Sequence, residues 1–177
     1  MRKLLLIFVL TISTLVASAQ SVLGINFGRP YSEVKEALKT RFGKFNVEED
    51  KGVLAIYDFN MGSIHFNSGK LYFQWDGQMS KFYRAEFQKW DGMKNVESMK
   101  NERMYLKGLI ASKYKTFEFK NSQGFICYEF LGEEINGITM HGEISLVRAK
   151  GKDDIERLYL FLLYNPIADF IEENSDF

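Results

Sequence analysis

The sequence is short of the residues that carry most recognisable chemistry: it holds one cysteine, two histidines and two prolines among 177 residues. A single cysteine excludes an intramolecular disulfide framework and any cysteine-based zinc cluster. No H-E-x-x-H, G-x-S-x-G or P-loop pattern is present, so the commonest signatures of metallopeptidases, serine hydrolases and nucleotide-binding enzymes are missing. A charge excess of either sign is missing too, with 23 Lys+Arg against 23 Asp+Glu. Phosphate contacts need concentrated Lys and Arg, so the balance argues against a dedicated nucleic-acid binder. Beyond the first 19 residues, no apolar run reaches the roughly 20 residues that a membrane-spanning helix requires.

What the chain does have is apolar and aromatic material, at 46% hydrophobic and 15% aromatic. That is ample for a packed core. Arg2-Lys3 at the start, the run Leu4-Leu5-Leu6-Ile7-Phe8-Val9-Leu10 and the small residues Ala17-Ser18-Ala19 have the three parts of a secretory signal peptide. Thr11, Ser13 and Thr14 break the apolar run, which is too short to serve as an anchor. Cleavage is expected before Gln20, with no cysteine nearby to take a lipid, giving a periplasmic or secreted protein. Loss of Arg2 and Lys3 with the leader would make the remainder slightly acidic.

Residues 24–32 form a turn-rich lead-in with Gly24, Gly28 and Pro30. Ser32 is placed to cap a helix whose stripe is Val34, Leu38 and Phe42, and Gly43 supplies its left-handed stop. The period then changes to two: 52–59, 62–66, 70–76 and 81–90 read as strands, separated by turn signals that include Asn67-Ser68-Gly69 and Asp76-Gly77-Gln78. Short spacing of this kind builds an antiparallel meander. The order then repeats. Val96, Met99, Arg103, Leu106 and Ile110 recur at helical spacing, with Gly108 inside, followed by strands at 115–120, 125–131, 138–148 and 156–164. These elements predict an α+β fold of two helix-then-antiparallel-strand modules in tandem, 20–90 and 91–164, with the helices packed on one face of a meander sheet. Residues 165–177 are expected to form an acidic tail.

The residues Gly24-Ile25-Asn26-Phe27-Gly28, Tyr31-Ser32-Glu33-Val34, Ala37-Leu38, Phe42-Gly43 and Phe66-Asn67-Ser68-Gly69-Lys70-Leu71-Tyr72 resemble small secreted envelope domains. These are the β-lactamase-inhibitor-protein-like and BamE/SmpA-like α+β modules, and the likeness covers mainly residues 24–90. It implies tandem modules and non-enzymatic protein binding. The chain lacks the lipid-anchoring cysteine of the assembly lipoproteins and the paired cysteines of the inhibitors.

Chemistry-bearing residues are sparse. His65 and His141 fall on strands, and His141 shares a strand face with Glu143, a pair short of the three or four ligands that zinc takes. Cys127, among Phe125, Ile126, Tyr128 and Phe130, reads as a small core hydrophobe rather than an activated thiolate. The carboxylates cluster at turns, where they favour solvent. No cofactor and no catalytic residue is expected. Aromatics are the better candidates, since large rigid rings anchor interfaces at low entropic cost. Strand alternation places Tyr72, Phe82, Arg84, Trp90, Tyr128 and Tyr159 away from the helix-packed positions, making them the expected binding surface. The predicted function is a secreted or periplasmic binding module, not an enzyme, recognising a protein or envelope component through its sheet. A small metal-assisted hydrolase centred on His65 or His141 is the alternative. A structural protein self-associating as a homodimer through the two-sided apolar strand 158–163 is a third.

Overall fold

A computed structural model describes residues 21–50, 52–135 and 138–168; the expected signal peptide, residues 1–19, lies outside them. A two-residue hairpin, β1 (Ser21–Val22) and β2 (Ile25–Asn26), leads into α1 (Tyr31–Phe42). A 3-10 turn and four strands follow: β3 (Val47–Asp50), β4 (Val53–Met61), β5 (Ile64–Trp75) and β6 (Ser80–Gly92). After a second 3-10 turn come α2 (Val96–Ala111), β7 (Lys115–Lys120), β8 (Ile126–Ile135), β9 (Ile138–Lys150), β10 (Glu156–Tyr164) and the short β11 (Ile167–Ala168).

The expected class needs correction. Among the described residues 56% are strand and 24% helix, and the long strands make one antiparallel sheet ordered β3-β4-β5-β6-β10-β9-β8-β7, with β11 added on β9. Over the described residues the molecule is predominantly β with two α-helices, not a pair of helix-and-strand modules. The overturning contact is the seam between β6 and β10, where eight residue pairs run from Arg157↔Gly92 to Tyr164↔Ala85. Strands 64 residues or more apart in sequence meet there, a non-local pairing that local periodicity does not carry. Within the expected tail, Ile167 and Ala168 pair with Thr139 and Ile138, and residues 169–177 lie outside the described residues.

Alternate positions of the strands build the core. The cross-strand row Ile56, Gly69, Phe87, Leu162, Ile144 and Tyr128 is buried throughout. Val34 and Leu38 of α1 and Met99, Leu106 and Ile110 of α2 belong to the same cluster. Gly69 lies mid-strand because a Cβ there would come within 2.9 Å of Phe87 and 3.0 Å of Ile56. Asn67-Ser68-Gly69 is therefore not a turn but a place of close approach inside one twelve-residue strand. Gly43 does end α1, at φ 85°, with its N–H donating to the Lys39 carbonyl. Ser32 is not the cap; Pro30 holds that position, and the helix start has no side-chain cap bond.

Candidate functional site: the solvent-facing surface of the sheet

Between the core positions, the strands turn a second set of side chains to the opposite surface. On β10 these are Arg157, Tyr159, Phe161 and Leu163, all partly exposed, while Leu158, Leu160 and Leu162 are buried. Register places Trp90 of β6 directly across from Tyr159, and Val147 of β9 on its other side. The Tyr159 and Phe161 rings stack at 6.1 Å with an interplanar angle of 17°. Trp90 is 37% exposed. Trp90, Tyr159, Phe161, Leu163 and Val147 thus form one partly wetted apolar patch on the three central strands.

A polar group borders this patch. Glu86, opposite Leu163, accepts a 2.7 Å hydrogen bond from the Tyr72 hydroxyl and pairs with the Arg84 guanidinium, which lies 5.2 Å from the centroid of the Tyr72 ring. Burial, and then the hydrogen bond to the Glu86 carboxylate, push the Tyr72 phenol up to about 12, so it remains a donor at neutral pH. At the other end of β10, Arg157 is paired with Asp153, with one hydrogen bond of 2.6 Å. Both ends of the patch are therefore polar, and each carries an ion pair.

Four of the six residues expected on this surface are there: Tyr72, Arg84, Trp90 and Tyr159. Phe82 and Tyr128 are not, and both belong to the core. The register slips at a bulge beside Tyr72 and Phe73, so Phe82 pairs with Phe73, whereas Arg84 pairs with Tyr72. That extra residue transfers Phe82 to the core side. The lead-in covers it, with Phe27 stacked at 4.5 Å and backbone bonds Gly28 N–H to the Phe82 carbonyl and Phe82 N–H to the Arg29 carbonyl. Phe82 is 1% exposed. Tyr128 is 4% exposed because β8 pairs it with Ile144 beneath α2, where its hydroxyl meets the Met104 sulfur and Arg103 lies over its ring. The two-sided apolar pattern of 156–164 sets Phe161 on the same face as Tyr159, and the structure adds it to the expected surface residues.

The histidines are separated. His65 lies near the β4–β5 turn, its Nδ1 3.2 Å from the Asn60 side-chain oxygen and its Nε2 3.6 Å from Asp58. His141 stands on β9 opposite Leu131, three places along the sheet from β5. Among the described residues no three His, Cys, Asp or Glu side chains converge as metal ligands, and no helix is long and apolar enough to cross a membrane. Cys127 is buried, and burial raises its thiol pKa. No family model matches this chain, and no curated protein or solved structure gives a significant match.

Proposed function

We propose that this chain is a secreted or periplasmic binding module, freed from residues 1–19, that recognises a protein partner through the solvent-facing surface of its sheet. The observation that carries the reading is the Trp90–Tyr159 cross-strand pair with Phe161 stacked beside it, partly exposed on the central strands. Central strands are where a sheet protein can bury rings most completely, so rings left wetted there are available for contact. Tyr and Trp anchor interfaces because they bury large area with few rotatable bonds, and the charge-paired groups at Glu86 and Asp153 supply a polar rim.

The test compares capture from the native envelope fraction by the wild-type chain and by a Trp90→Ala, Tyr159→Ala, Phe161→Ala variant. A protein retained saturably by the wild type and lost by the folded variant is the expected result. Identical retention by both overturns the reading.

A further inference from the structure

The sheet has two ends, and they are built differently. At one end β3 is four residues long, and its Glu49 is tied by an ion pair to Lys35 of α1. Short, charged, tethered strands are the usual way of blunting an edge. At the other end β7 runs six residues, Lys-Thr-Phe-Glu-Phe-Lys, in unbroken register with β8 from Lys115↔Leu131 to Lys120↔Ile126. It carries no proline and no bulge, and among the described residues no strand lies on its outer side. Phe117 at its middle is 53% exposed. An unpaired row of N–H and C=O groups on a regular strand is a template for one more strand.

We propose that the added strand is β7 of a second copy of this chain, paired antiparallel about a two-fold axis at Phe117. The sequence of β7 selects both partner and register. A two-fold axis perpendicular to the sheet must pair residues that share a surface, so it passes through a residue rather than between two. Centred on Phe117, the axis sets Phe117 against Phe117, Lys115 against Phe119 and Thr116 against Glu118. These are an aromatic pair, a cation beside a ring and a hydroxyl beside a carboxylate, with no like charges opposed. Centring on Glu118 would oppose two carboxylates, which is unfavourable. Centring on Thr116 would leave Glu118, Phe119 and Lys120 without strand partners, and centring on Phe119 would leave Lys115, Thr116 and Phe117 without them. The dimer also extends the solvent-facing surface. Phe117 pairs with Glu129, which pairs with Glu143, itself opposite Leu163 of the central patch. Two copies joined at β7 would carry their patches on one continuous antiparallel sheet.

Position 117 faces itself across the axis, which permits a charge-complementation test. Phe117→Lys and Phe117→Glu should each sediment as monomers at concentrations where the wild type is a reversible dimer, with unchanged circular dichroism. An equimolar mixture of the two should recover the dimer mass. A wild type that is monomeric throughout, a Phe117→Lys variant that remains dimeric, or a mixture that stays monomeric overturns the proposal. As a check independent of charge, Phe117→Cys should cross-link between copies under oxidised glutathione, since paired strand positions at the axis fall within disulfide reach. Cys127 is buried and does not compete. A folded Phe117→Cys chain that gives no cross-link contradicts the register.

Discussion

Arg103 is a full charge in a place made for a hydrocarbon. It lies on the buried stripe of α2 with Met99, Leu106 and Ile110, is 6% exposed, and has no carboxylate partner among the described residues. Its Nη1 donates to the Ile126 carbonyl and its guanidinium lies 5.8 Å from the centroid of the Tyr128 ring, but among the described residues its buried Nε–H has no partner. The stem packs as an apolar side chain would, and the head ties α2 to the first residue of β8. Two substitutions separate these contributions. Arg103→Ala opens a cavity and frees the Ile126 carbonyl, and should cost about 2–4 kcal/mol in urea denaturation. Arg103→Met keeps the volume and removes the desolvated charge, and should fall within about 1 kcal/mol of the wild type. The hydrophobic period of the sequence carries Arg103 to this stripe correctly, yet it cannot say how a charge placed there is satisfied.

At the scale of elements, the boundaries came through the sequence better than the faces did. The edges of 115–120 and 156–164 and the stop at Gly43 follow from turn residues and glycine conformation, which act locally. Faces fail wherever one residue is inserted. The bulge beside Tyr72 and Phe73 inverts the alternation of β6 and sends Phe82 into the core, and nothing in Lys81-Phe82-Tyr83-Arg84 announces it. Glycine was ambiguous for the same reason. Asn67-Ser68-Gly69 has turn composition, but Gly69 exists to admit Phe87 and Ile56. Two other glycines turn this distinction into a measurement. A Cβ on Gly108 in α2 would meet nothing within 4 Å among the described residues, so Gly108→Ala should stabilise the protein by about 0.5–1 kcal/mol through helix propensity. A Cβ on Gly142 in β9 would lie 2.1 Å from Phe130 Cζ and 2.2 Å from the Leu163 carbonyl oxygen. Backbone cannot step aside as a flexible side chain can, so Gly142→Ala should destabilise by about 1–3 kcal/mol or more. Thermal unfolding of the two variants side by side checks both signs.

The whole molecule is organised by the seam between β6 and β10. It joins eight strands into one sheet, so that side chains from both helices and from strands on either side of it share a single buried cluster. The same seam sets Trp90 against Tyr159 on the other surface, and the core and the proposed binding patch are thus two sides of one pairing. That patch was only half legible beforehand: Trp90 and Tyr159 follow from strand period, but their being neighbours requires a register between segments nearly 70 residues apart. The central claim is that a partner covers this patch, and Trp90 can report it directly. With Trp75→Phe, Trp90 is the sole tryptophan, and its emission in the free protein should be open to acrylamide quenching, in keeping with its 37% exposure. In a saturated complex with the captured partner, quenching of Trp90 should fall to the level of a buried indole; quenching unchanged at saturation would contradict the account.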